Sequence, residues 1–169
     1  CYLLHLNLYM QIYTTFNIMF LYQCGDIEKN PGPCSSCNLS ISYWNVNSLM
    51  AHNFSKFTQL RAFNSIHDFD ITCLLETFLN NTTDNNESAL DIDGYSLARA
   101  DHPSNWKKGG VCVYYKNILS IKTINITSLQ ECLIFEISLN NTKCYIVSLY
   151  RSPSQSIEEF DNFLSKFEA

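Results

Sequence analysis

Ile71-Thr72-Cys73-Leu74-Leu75-Glu76-Thr77-Phe78-Leu79 decides the fold. Its first five residues form a short, continuous apolar run. A run of that length suits a strand covered on both faces, as in the middle of a layered α/β fold. A carboxylate, Glu76, follows at once. A charge at the end of a buried strand either faces water or holds a ligand, and surface placement is the commoner case for an unsupported Glu.

Working outward, Leu39 to Val46 alternates apolar and polar residues and reads as a strand running into Asn-rich turn chemistry. Phe54, Phe57, Leu60, Phe63 and Ile66 recur at three-residue steps, one drifting face of a helix with Asn53 as its expected N-cap. Residues 80 to 93 are polar and Asn-rich, a surface loop. Gly94 to Ala98 is a short strand, Asp101 to Lys108 a loop, and Gly109-Gly110 opens the strand Val111 to Tyr115. Cys132 to Leu139 and Cys144 to Tyr150 read as two strands joined by a tight Asn140-Asn141 turn. Ser156 with Glu159 forms a capping box before the apolar face Phe160, Phe163, Leu164 and Phe167. Strands outnumber helices and several are hairpin-linked, which predicts sheet packed on sheet with helices outside. No internal repeat is visible.

The chain has 169 residues, 46% hydrophobic and 16% charged, so it can bury a core and is not a solvated disordered chain. Its net charge of -5 argues against a binder driven by a basic patch. Of eight cysteines, Cys73, Cys112, Cys132 and Cys144 sit in apolar runs as small hydrophobes. Cys34 and Cys37 form a CSSC pair with no second Cys/His pair at zinc spacing. A reduced, intracellular protein is expected, not a secreted one. Asn-x-Ser/Thr triplets at Asn38, Asn53, Asn81, Asn86 and Asn125 follow from an Asn-, Ser- and Thr-rich composition.

Residues 1 to 24 carry no Lys, Arg, Asp or Glu, but polar residues interrupt them and no basic segment precedes them as in a signal sequence. The next stretch, Gly25-Asp26-Ile27-Glu28-Lys29-Asn30-Pro31-Gly32-Pro33, resembles a 2A-like ribosome-skipping peptide, matching Asp26, Glu28, Asn30, Pro31, Gly32 and Pro33 of its pattern. Two prolines fix φ and restrict their neighbours, and Pro33 brings a hindered secondary amine as nucleophile. The resemblance implies that the Gly32–Pro33 bond is often not made, and that an apolar helix precedes it. The expected organisation is a leader over 1–33, a linker over 34–39 and a folded domain portion over 40–169.

Four segments carry a second resemblance. Tyr43-Trp44-Asn45-Val46-Asn47-Ser48-Leu49 is similar to W-N-V-[ND]-G-L, and Leu75-Glu76-Thr77-Phe78-Leu79 to E-T-x-L. Gly94-Tyr95, Arg99, Asp101 and Gly109-Gly110-Val111 are similar to G-Y…R-x-D-R…G-G-G-V, with His102 where relatives carry Arg. Val147 to Ser154 is similar to V-Y-R-P-P-S. Together they cover nearly all of residues 40 to 155 and resemble the endonuclease/exonuclease/phosphatase family, in particular the apurinic-type endonucleases of non-LTR retrotransposons. The resemblance implies part of a DNase I-like, four-layer α/β-sandwich and a phosphodiester hydrolase that uses Mg²⁺ or Mn²⁺. It implies DNA as substrate, a reverse transcriptase downstream, and action in the nucleus.

It also implies roles. Glu76 would bind the metal, with Asn47 either a weaker contributor or a turn residue. Asn45 would meet the phosphate or orient the metal's waters. Tyr150 would approach the scissile phosphate. Arg99 and Arg151 would touch the DNA backbone, or be loop charges, as Lys107 and Lys108 also could. Trp44 and Trp106 read as packing residues. The family's G-D-[FL]-N and [ST]-D-H segments are absent, and His5, His52, His67 and His102 lie in the wrong context to replace the terminal His. An incomplete amino-terminal portion, inactive alone, is therefore expected. The competing expectations are a repair nuclease or small phosphoesterase of the same fold, and a membrane-anchored or secreted binding domain.

Overall fold

The computed structural model describes residues 17–24, 39–80, 87–103, 108–124, 131–139 and 142–150, with Ser156, Glu158, Asp161 and Asn162. The chain divides into two compact units, Asn17–Tyr150, and Cys1–Phe16 with Arg151–Ala169. In the latter, Glu158, Asp161 and Asn162 are helical. The rest of the expected cap and helix there lies outside the described residues, as do the CSSC pair, the 2A-like motif, the Asn140-Asn141 turn, Trp106, Lys107 and Arg151.

Within residues 17–150, the described elements are β1 (Asn17–Cys24), β2 (Ile41–Asn45), α1 (Ala51–His67), β3 (Ile71–Leu75), a 3-10 turn (Glu87–Leu90), β4 (Tyr95–Ala100), β5 (Val111–Lys116), β6 (Ile121–Ile124), β7 (Cys132–Leu139) and β8 (Thr142–Tyr150). They make two four-stranded sheets, ordered β2-β3-β5-β4 and β1-β8-β7-β6. β2 runs parallel to β3, and the remaining pairs are antiparallel.

β3 explains the layering. All five of its residues are buried, and successive side chains point to opposite faces. Leu74 packs with Leu60, Phe57, Tyr114 and Cys112 on the side that carries α1. Ile71, Cys73 and Leu75 pack on the other side with Val111 and Val113, and against Phe135, Ile137, Ile146 and Tyr150 of the second sheet. The expected sandwich with an outer helix is thus present. Cys73 and Cys112 are buried and not disulfide-bonded, as expected of small core residues.

Three details differ from the sequence expectations. α1 begins at Ala51 with Met50 as its N-cap and no side-chain cap bond, so Asn53 lies inside the helix. α1 stops at Asp68, whose N–H still donates to the Asn64 carbonyl at 2.9 Å while its left-handed φ of 50° turns the chain out of the helix. Residues 17–24, expected in an apolar helix, form a strand pairing residue by residue with β8, from Asn17↔Tyr150 to Cys24↔Lys143. β6 was not expected: its four residues, Ile121-Lys122-Thr123-Ile124, do not alternate apolar with polar, and pairing with β7 orders them.

Candidate active site

β2 and β3 end side by side, with Asn45 opposite Leu75. The pairing continues past both ends, because the Val46, Ser48 and Leu49 N–H groups donate to the Leu75, Glu76 and Thr77 carbonyls at 2.9, 2.7 and 2.9 Å. Both chains then turn through the left-handed region, at Asn47 (φ 43°) and Ser48 (φ 75°) on one and at Glu76 (φ 53°) on the other. Asn adopts that conformation with less strain than most residues, whereas Glu does not favour it. Glu76 is half-buried at this point, where the β3 ladder stops.

Asn45 and Asn47 together make the turn. The Asn47 N–H donates to Asn45 Oδ1 at 3.1 Å, so the side chain of Asn45 keeps its N–H donors for other work. Asn47 itself is exposed. Lys56, from the first half of α1, reaches over and donates to the Val46 and Asn47 carbonyls at 2.6 and 2.5 Å. An ammonium there makes the turn attractive to an anion. The sequence reading missed this lysine, because only the helix–strand packing brings it to the turn.

The second sheet supplies Tyr150, the last residue of β8, which is buried at its end of the sandwich. Burial, with the negative charges of Glu76 and Glu131 nearby, pushes its phenol up to about 12. It therefore stays protonated at neutral pH, able to donate to an anionic oxygen. The Glu76 charge thus acts on the Tyr150 phenol although the two residues belong to different sheets.

A second carboxylate, Glu131, borders the site and was not singled out from the sequence. Its charge, directly before the apolar Cys132–Leu139 run, is the signal that could have found it. Glu131 Oε1 accepts a 2.6 Å hydrogen bond from the Gly110 N–H, and its carbonyl accepts from the Tyr150 N–H at 3.0 Å. Burial raises its pKa against the opposing pull of the Gly110 bond and of His102 and Lys108. His102 Nε2 stands 4.0 Å from Glu131 Oε2, so the loop expected only to lose a basic group brings an imidazole to the site's border. Arg99 is committed differently from expectation: its guanidinium pairs with Asp101, Nε to Oδ1 at 3.0 Å, with both side chains largely buried. That pairing makes it a buttress of β4's end. Trp44 packs against the α1-side core, as expected.

Together, Asn45, Glu76, Gly110, Glu131 and Tyr150 lie at one end of the sandwich, where two parallel strands stop. In α/β sheets that end is a common place for ligands. The two sheets with an outer helix are part of a DNase I-like α/β fold. An AP endonuclease from Leishmania major shares this arrangement, with a TM-score of 0.58 and 20% identity over 72% of this chain and 43% of that one. An AP endonuclease from Archaeoglobus fulgidus aligns over 61% of this chain and 38% of its own, at 16% identity and a TM-score of 0.41. The chain thus spans less than half the length of these structures. No family model matches the sequence, and no curated protein matches it.

Proposed function

We propose that the chain is part of a divalent-metal-dependent endonuclease that nicks DNA for insertion of a non-LTR retrotransposon by target-primed reverse transcription. The observation that carries this reading is that the end of β3 after Glu76 and the end of β8 at Tyr150 are joined through Gly110 and Glu131 at one end of the sandwich, beside a turn that Lys56 covers. Hydrolysis of a phosphodiester builds negative charge on phosphate oxygens and on the leaving oxygen, and Mg²⁺ bound there would offset it as a Lewis acid. Mg²⁺ is commonly held by one or two carboxylates with waters and phosphate, and a single protein carboxylate, that of Glu76, would serve here; among the described residues no group of three His, Cys, Asp or Glu converges.

Glu76 would hold the ion, and exposed Asn47 would reach its water shell. Asn45 would donate its amide N–H to a phosphate oxygen, and Tyr150 its phenol O–H. Lys56, on the carbonyls of the turn, would raise the local preference for the phosphate. Arg151 would follow the DNA backbone. The missing G-D-[FL]-N and [ST]-D-H segments would supply the base for the attacking water and further phosphate contacts, so this chain alone would leave DNA intact. In the wider reading, ribosome skipping at Gly32–Pro33 frees the leader, a reverse transcriptase follows, and the protein acts inside the cell at the nuclear DNA.

Nicking of supercoiled plasmid by the polypeptide of the full reading frame tests this. Open circles should form with Mg²⁺ and disappear with EDTA. Tyr150→Phe should slow nicking about hundredfold, the scale for losing one donor to a developing charge. Nicking that survives EDTA would overturn the metal role. Cleavage confined to duplexes with an abasic site would replace the insertion role by one in repair.

A further inference from the structure

Glu131 combines two costly features. It carries a left-handed φ of 56°, which a residue with a long side chain avoids, and its carboxylate is largely buried. Such a combination persists where surrounding contacts over-determine it, and it marks places where geometry is needed.

The contacts are specific. The Gly110 N–H donates to Glu131 Oε1 at 2.6 Å. The Gly110 carbonyl accepts from the Thr77 N–H at 3.3 Å, and the Gly109 carbonyl from the Phe78 N–H at 2.9 Å. Thr77 and Phe78 directly follow Glu76. On the other side, the Tyr150 N–H donates to the Glu131 carbonyl. One residue thereby ties the segment after Glu76 to the strand end that carries Tyr150.

Gly109 makes room for this arrangement. A Cβ built there would fall on Glu131 Oε1 and come within 3.2 Å of the His102 ring. Gly109 and Gly110 also have φ of 64° and 85°, which glycine alone adopts freely. The glycine pair is explained by the carboxylate it accommodates as well as by its turn.

We propose that Glu131 is a positioning residue: its carboxylate clamps the Gly109–Gly110 turn and thereby sets the register between Glu76 on one sheet and Tyr150 on the other. What the positioned groups then do rests on the nuclease reading above. Glu131 itself touches no reacting atom. His102, beside its second oxygen, limits how far the carboxylate can swing.

The test uses the chain as it stands, with amide exchange read by NMR and Mn²⁺ affinity read by titration. Glu131→Ala should lose protection at the Gly110 amide and weaken Mn²⁺ binding about 10- to 100-fold, the range for removing a group that orients a metal ligand. Glu131→Gln keeps an acceptor oxygen and should recover most of both. Gly109→Ala should reproduce the Glu131→Ala effects by displacing the carboxylate. Ile137→Ala, a core truncation in β7, the strand that follows Glu131, should lower the thermal midpoint and leave Mn²⁺ affinity unchanged. Unaltered Gly110 protection in Glu131→Ala overturns the clamp. Mn²⁺ loss as large in Glu131→Gln as in Glu131→Ala overturns positioning in favour of direct ligation. If the parent chain binds no Mn²⁺, the nuclease reading fails, and Gly110 protection alone still decides the clamp.

Discussion

Thr72 shows what single residues contribute to holding the site's platform. It is wholly buried, accepts from the Ser42 hydroxyl at 2.8 Å, and donates to Asn64 Oδ1 at 2.9 Å. One hydroxyl thus joins β2, β3 and α1 behind the strand ends. Thr72→Val keeps the shape but leaves the Asn64 oxygen without that donor. A cost of about 1–3 kcal/mol is expected, because a buried polar group loses its partner, and urea unfolding measures it. No change in the midpoint would show that the link carries no stability. This residue also marks the limit of sequence reading. An apolar run named β3, but nothing in Ile71-Thr72-Cys73 says that Thr72 reaches Asn64. For Glu131 the sequence offers a charge before an apolar run but not its role: its partner, Gly110, is 21 residues away, and only sheet packing brings them together. Glu76 and Tyr150 were legible because motif segments surround them.

The elements divide in the same way. The three-residue repeat in α1 was read as one drifting face, and the drift is visible: Phe57 and Leu60 are buried while Phe54 and Ile66 are exposed. Each three-residue step falls about 60° short of a full turn at 3.6 residues per turn. From Leu60, the two ends of the series therefore rotate out on opposite flanks, and Asn64 turns inward instead. Where β2 and β3 begin, Asp70 accepts from the Ser40 N–H and hydroxyl at 2.8 and 2.7 Å and pairs with Lys116 at 3.1 Å. Burial works against its ionisation, but the bonds from Ser40 and Lys116 outweigh it and hold the carboxyl below its usual range. A depressed folded value means the charged form stabilises the fold. That contribution is complete above the ordinary Asp value of about 4 and disappears as pH falls through the lower folded value. Asp70→Asn should therefore flatten the acid side of the stability–pH profile and leave its shape above pH ~5 unchanged. An identical acid limb in parent and variant would remove Asp70 from this role.

At the scale of the molecule, the sandwich was legible from apolar runs and hairpin spacing, while its edges were not. Residues 17–24 read as part of a leader, yet they form β1 on the edge of β8. A chain beginning at Pro33, the product expected from skipping, lacks β1. Its β8 amides on that side should lose hydrogen-exchange protection, and the bared edge should promote pairing between chains, as unprotected edge strands do. Unchanged protection along β8 would show that β1 contributes nothing to the sheet.

The account as a whole rests on Glu76 holding a divalent cation beside Tyr150. Paramagnetic broadening by Mn²⁺, mapped on the amide resonances of this chain, tests it most directly. Broadening should centre on Asn45, Glu76 and Tyr150, spare the far ends of β3 and β8, and vanish in Glu76→Gln. Broadening centred elsewhere, or unchanged in Glu76→Gln, would contradict the account.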